Sequence, residues 1–301
     1  MRSERFILSP NGPFSLAAST RFLEGFAPAA LGQQAEGRLN LAFCLEGSWE
    51  PVGVEIWQDG DLVVGRYTGQ APAKTVAENV ARILSLDVDG SGFDAVGARD
   101  PVVGRLQARY PGLRPVGFWS AYEAAAWTVI SQRVRMVQAA KLKSRIADEL
   151  GHSLEAAGRW VSAFPSPAQL ASLESIPSLP QMKFERLRGI AQAAADGLLD
   201  SRRLRSMDAA EALSQLERLP GIGPFSAELI LIRGAMAPDV FPTVERRLHD
   251  SMRSAYGLPG ASVDDLDRIA GAWRPFRSWV SLLFRTAREA DLHEIEPIPT
   301  A

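Results

Sequence analysis

Cysteine is almost missing from this chain. Cys44 is the only one in 301 residues, so an internal disulfide is impossible, and a cluster held by several thiolates is excluded. Histidine is scarce as well. His152, His249 and His293 stand alone, without the spacing that a metal site made of side chains requires. No apolar run reaches the length that spans a bilayer. The opening MRSERFILSP lacks the apolar centre of a secretory leader, so the expectation is a cytoplasmic protein with no membrane partner. A dominant sign of charge is absent too, the formal net charge being -2. Its distribution is uneven: the first 100 residues carry 8 Lys+Arg against 13 Asp+Glu, the remainder 25 against 22. A mildly basic later part fits a nucleic-acid footprint confined to it, although an ordinary solvated surface gives the same balance. Internal repeats, low-complexity linkers and any sign of an obligate protein partner are also lacking.

What is present suits a globular protein with a large core. The chain is 46% hydrophobic and 23% charged, and its length accommodates two or three domains. Leu39–Leu45, Val52–Gln58 and Leu62–Tyr67 read as short strands, with Asp59-Gly60 as a hairpin turn between the last two. Ala73–Leu84 has apolar residues at helical spacing. Cys44, inside an apolar run, reads as a packed core thiol. From about Asp100 the pattern is helical. Tyr122–Leu150 contains no Gly or Pro and is expected to form one helix or two, capped by Ser120 with Glu123 completing a capping box. Further helices are expected over Leu154–Phe164, Pro167–Leu173, Phe184–Asp196, Asp264–Ala272 and Trp279–Glu289.

The most informative stretch is Leu219–Arg233, LPGIGPFSAELILIR. Pro220-Gly221 and Gly223-Pro224 are strong turn pairs, and Pro224 suits the first turn of a helix. Upstream, Asp208–Arg218 is a helix with an Asp cap. The unit is helix, tight glycine turn, helix. Free N–H groups at the start of the second helix can bind an anion such as a DNA phosphate. An ordinary helical hairpin has the same spacing.

LPGIGPFSAELI resembles the helix-hairpin-helix of the base-excision DNA glycosylase superfamily. The likeness extends through the acidic stretch Pro238–Leu248 to Trp273-Arg274-Pro275-Phe276-Arg277-Ser278-Trp279, and is greatest with the bacterial 3-methyladenine-DNA glycosylase II branch. The resemblance implies an α+β, mainly α fold: an N-terminal antiparallel sheet domain with helices, then two helical domains flanking a cleft. The corresponding parts are residues 1–97, residues 98–120 together with 238–301, and residues 121–237, which include the hairpin at 208–233. The implied partner is double-stranded DNA with damaged bases. The implied reaction is hydrolysis of the N-glycosidic bond of a flipped base, most simply an alkylated purine. The alternative is a lesion-sensing DNA-binding protein of the same fold with little or no catalysis.

The resemblance also assigns roles. The family places an Asp in the cleft to stabilise positive charge on the sugar; the matching position here is Glu245, one methylene longer. Asp239 and Asp250 are near in sequence but not at that position. Without the resemblance, Glu245 reads equally well as a solvated carboxylate at a helix start. Phe225 stands where lyase relatives carry a Schiff-base lysine, which argues for a monofunctional hydrolase. It either stacks on a flipped base or packs the hairpin as a core residue. Arg246 and Arg285 fall on positions where the branch has aromatic pocket walls. They are candidate base-pocket residues, or else partners of Glu245 and Asp250 in surface ion pairs. Gln132 precedes the residue that fills the gap left by the flipped nucleotide, here Arg133; Arg133 also reads as merely solvent-facing. Gly221, Gly223, Pro224 and Ser226 complete the expected DNA contacts. The Trp273–Trp279 segment reads as a packing motif. No cofactor is required, and the resemblance implies that backbone carbonyls of Leu219 and Ile222 hold a structural monovalent cation, Na or K.

Overall fold

Strands β1 (Ser3–Leu8), β2 (Arg38–Cys44), β3 (Pro51–Asp59) and β4 (Leu62–Thr68) form an antiparallel sheet in the order β1-β4-β3-β2. The structure is a computed structural model that describes residues 3–29, 37–177 and 179–291. His293 and the extreme ends of the expected 1–97 and 238–301 parts lie outside the described residues. Asp59 pairs with Leu62 across the turn that begins at Gly60, as the Asp-Gly pair predicts. In β2, Leu39, Leu41 and Phe43 face one way, into a core shared with helices Leu16–Gly25 and Ala73–Ile83. The alternate residues Ala42 and Cys44 face the other way.

That second face is covered by an element expected to be something else. Residues 154–164 do not form a helix. They belong to a hairpin of β5 (His152–Ala156) and β6 (Arg159–Ala163). Leu154 and Ala163 pack on Ala42 and Cys44, and the Thr68 hydroxyl donates to the Glu155 carbonyl at 2.6 Å. Ala157 and Gly158 both have positive φ, 53° and 73°, the signature of a two-residue turn that matches strand twist. Helix propensity in LEAAG yields here to the need to cover an apolar sheet face. Cys44 is buried as expected, its thiol donates to the Phe164 carbonyl, and burial pushes its pKa up to about 12.

The long helical stretch is two helices, Ala121–Ile130 and Met136–Leu150. They break at Ser131–Arg135, where Arg133 has φ 55°. Ser120 caps the first by accepting from the Glu123 N–H at 3.0 Å. Glu123 does not complete a capping box. Its carboxylate is buried, 3.1 Å from the Lys143 ammonium; burial raises its pKa and Lys143 pulls it back down. Helices Gln181–Ala195, Ala209–Glu217, Pro224–Leu229, Arg246–Tyr256, Val263–Ala270 and Arg277–Asp291 supply most of the rest. Neither β1 nor the Leu16–Gly25 helix was expected from the N-terminal sequence.

Two cores result. One runs from the sheet into the C-terminal helices and includes Phe241, Trp273, Trp279 and Phe284. The other fills the central helices between Phe118 and Val240. The fold is α+β and mainly helical, and among the described residues no helix is long and apolar enough to cross a membrane.

Candidate active-site cleft

The glycine turn joins two helices as expected. Asp208 caps the first, accepting from the Ala210 N–H at 2.9 Å. Gly221 has φ 84°, and a Cβ there would lie 2.7 Å from Cδ of Arg186, so only glycine fits. Gly223 differs: its φ is -108° and nothing lies near a Cβ added to it. The turn therefore needs one glycine, not two. Pro224 opens the second helix, and the N–H groups of its first turn have no partner within the helix.

Behind this turn, Gln132 Nε2 donates to the Gly221 carbonyl at 2.7 Å, and Arg186 donates to Gln132 Oε1 at 2.7 Å. Lys183 donates to the Ile130 and Gln132 carbonyls at 2.8 and 2.7 Å. Burial, then the neighbouring Arg186, lowers the Lys183 pKa. Gln132 is thus engaged within the protein, tying the Ser131–Arg135 loop to the hairpin. Arg133, at the tip of that loop, is exposed, as are Val134, Met136 and Val137 beside it.

The stretch leading to Glu245 is held at almost every residue. Arg277 and Arg274 pair with Asp239 at 2.8 and 2.9 Å. The Ser278 hydroxyl accepts from the Val240 N–H and donates to its carbonyl, both at 3.0 Å. His249 donates from Nε2 to the Pro242 carbonyl at 2.8 Å, and its ring stacks on Phe241. The buried Glu228 accepts from the Thr243 N–H and hydroxyl at 2.7 and 2.6 Å and from the Val244 N–H at 3.3 Å. The Trp273–Trp279 segment packs the core, with Trp273 fully buried. Through Arg277 and Ser278 it also fixes the loop, a role beyond packing.

Glu245 then caps the Arg246–Tyr256 helix, accepting from the Arg247 N–H at 3.2 Å. Its carboxylate pairs with Arg285 at 2.9 Å, and Arg285 reaches Glu289 at 2.6 Å. All three line a cleft of about 570 Å³, together with Phe225, Ser226, Gln132, Trp127 and Phe118. Phe225 is 53% exposed, so it is not a core residue. Arg246 is exposed and lies outside the cleft lining, whereas Arg247 lines it. Deeper in, Arg233 stacks on Phe22 and Phe26 at 4.9 and 4.5 Å and donates to the Val116 carbonyl. Its burial lowers the guanidinium pKa to about 10, with Glu289 opposing the shift.

Glu228, Glu289, Arg233 and Arg247 were not anticipated as cleft residues. The one legible signal was Glu228, a lone carboxylate inside the apolar run AELILI.

No family model matches the chain. "DNA-3-methyladenine glycosylase 2" of Escherichia coli is 32% identical over 184 residues, covering 60% of this chain and 62% of that protein. "DNA-3-methyladenine glycosylase" of Bacillus subtilis is 27% identical over 221 residues, covering 72% and 73%. The solved 3-methyladenine DNA-glycosylase of Archaeoglobus fulgidus superposes with a TM-score of 0.74 at 21% identity, covering 94% of this chain and 98% of that one. The chain shares the fold of this solved glycosylase and is similar in sequence to these two 3-methyladenine-DNA glycosylases. The chain spans under two thirds of the E. coli relative that it matches, 62% of its length.

Proposed function

We propose that this protein is a monofunctional DNA N-glycosylase that hydrolyses the glycosidic bond of damaged bases, alkylated purines first, in double-stranded DNA. The observation that carries the proposal is Glu245, held at a cleft wall within a loop whose backbone is fixed by Glu228, Ser278 and His249. A carboxylate fixed in advance stabilises the cation that develops on the sugar without reorganising during the reaction. Phe225 at the cleft supplies an exposed stacking face for a flipped base, which suits a cationic alkylpurine. Phe225 also leaves no amine at that position for Schiff-base chemistry. The exposed Arg133 loop, the hairpin N–H groups and Ser226 are the proposed DNA contacts, and relatives named for the excision of 3-methyladenine support the substrate class. The division into residues 1–97, 98–120 with 238–301, and 121–237, and a cytoplasmic location, belong to the same proposal.

A monovalent cation fits the hairpin. Leu219 and Ile222 offer hard carbonyl oxygens, and although Leu219 already accepts from the Ile222 N–H at 3.1 Å, a carbonyl has a second lone pair. Bound there, the cation would add positive charge beside a DNA phosphate.

The test is base release from methylated duplex DNA by wild type and Glu245→Gln. The Gln variant keeps the size and hydrogen bonding of the side chain but not its charge. Release is expected to fall by orders of magnitude while affinity for damaged DNA survives. Equal release by both proteins removes Glu245 from the chemistry. The Arg285–Glu245 pair, which counters the carboxylate's charge in the free protein, favours a second reading as a lesion sensor. Tight, selective binding of damaged DNA without release by wild type would establish it.

A further inference from the structure

We propose that Glu228 is a positioning residue that aims Glu245 and locks the hairpin to the loop bearing it. The proposal rests on the glycosylase reading above. Glu228 is 5% exposed and lines the cleft, yet both of its oxygens are committed inside the protein. Oε1 takes the Thr243 N–H and hydroxyl, and Oε2 takes the Val244 N–H. All three donors come from the two residues that precede Glu245. The other end of the link is the second hairpin helix, which starts at Pro224, about one turn before Glu228. One side chain therefore connects the backbone proposed to grip phosphate with the backbone that sets the carboxylate.

The charge of Glu228 is what makes this link. Two backbone N–H groups and a hydroxyl converge on it, and a carboxylate accepts from all of them at once, with no donor of its own to conflict. A Gln amide keeps one acceptor oxygen and turns an NH2 group toward one of these donors. Alanine removes the shared partner of all three donors, at a part-buried site, where unmade hydrogen bonds carry a cost. The loop then loses its hold immediately before Glu245. Because all three of its hydrogen bonds go to the two residues before Glu245, its effect on excision is proposed to run through Glu245.

Single-turnover base release from a duplex with one alkylated purine tests this in wild type, Glu228→Gln, Glu228→Ala, Thr243→Val, Glu245→Gln and the double variant Glu228→Ala/Glu245→Gln. Affinity for a duplex with an abasic-site analogue and amide exchange across residues 239–247 accompany it. Glu228→Ala should slow release on the order of a hundredfold, the scale of a misplaced catalytic group, with abasic-site affinity retained. Glu228→Gln and Thr243→Val should fall between it and wild type, and exchange at Thr243 and Val244 should quicken in Glu228→Ala. With Glu245 already changed to Gln, adding Glu228→Ala should slow release no further. The proposal is overturned if Glu228→Ala or, should that variant not fold, Glu228→Gln releases base as fast as wild type. It is equally overturned if Glu228→Ala slows the Glu245→Gln protein by the same factor as it slows wild type. If wild type releases no base at all, the glycosylase reading falls. The exchange measurement then decides the clamp: quickened exchange upholds it and unchanged exchange rejects it.

Discussion

Phe225 leaves more than half of its ring in water, while Ala227 and Glu228, two and three residues on, are buried. A helix that must bury apolar surface has no reason to hold a phenyl ring out at a cleft, but a protein that stacks bases has one. Truncating an exposed ring removes little buried area, so Phe225→Ala should leave the melting temperature near that of wild type. It should weaken binding to damaged DNA by about 1–3 kcal/mol, the typical worth of a base–aromatic stack. Titration of a fluorescent lesion duplex at fixed salt checks this, and unchanged affinity would remove the ring from the interface. At this scale the resemblance picked out Phe225, Glu245 and Arg285 by position, and all three line the cleft. The sequence was not legible where a side chain's partner is remote in the chain. Glu228 finds Thr243 fifteen residues away, and Arg233 finds Val116 across 117 residues; the apolar run around Glu228 marks it as unusual but does not name its partner. Arg246 and Arg247 show a finer limit, since an uncertainty of one residue in the helix start exchanges which of them faces the cleft.

Between elements, the hairpin separates two glycines that the spacing alone treats alike. Gly221 is in the left-handed region and in contact with Arg186, so Gly221→Val is strained twice and also disturbs the Gln132 bond to its carbonyl. Gly223 is extended with open space around it, so Gly223→Val should fold as wild type does. Its branched side chain nevertheless stands beside the free N–H groups of the helix start and should hinder a phosphate there. The expected result is lost DNA affinity with unchanged stability for Gly223→Val, and loss of both for Gly221→Val. Calorimetry with DNA titration separates them. Full affinity in Gly223→Val would place the phosphate elsewhere. Elements were legible wherever local periodicity agreed with the final packing, as in β2 to β4 and the helix from Ala73. They failed at residues 154–164, where LEAAG is locally helical and only the exposed face of β2, more than a hundred residues earlier, selects strands. The gap between the helices ending at Ile130 and beginning at Met136 was hidden for a related reason. No Gly or Pro marks it, and Arg133 takes its positive φ while Lys183 holds the loop from outside and Gln132, within it, reaches the hairpin.

In the molecule as a whole, the sheet and the cleft are mechanically joined by charge buried between them. Arg82 sits on the Ala73–Ile83 helix of the sheet region, is 6% exposed, and donates to the Gly234 carbonyl at 2.9 Å and to that of Trp119. It also lies 3.8 Å from Glu46, which in turn accepts from Ser201 Oγ at 2.8 Å. Gly234 ends the helical run that follows the hairpin, just before the pinned loop to Glu245. Arg82→Met keeps most of the side-chain volume but leaves two carbonyls and a carboxylate without their cation. Breaking a buried charge interaction on one side costs about 3–5 kcal/mol. Since one core already runs from the sheet through Trp273 and Trp279, that loss should lower a single cooperative unfolding transition rather than release the sheet alone. Scanning calorimetry followed by both far-ultraviolet and tryptophan signals should show one coincident midpoint, shifted down by several degrees. A variant that melts in two separated steps, or at the wild-type temperature, would mean that the sheet is an independent appendage and that Arg82 does not couple it to the cleft.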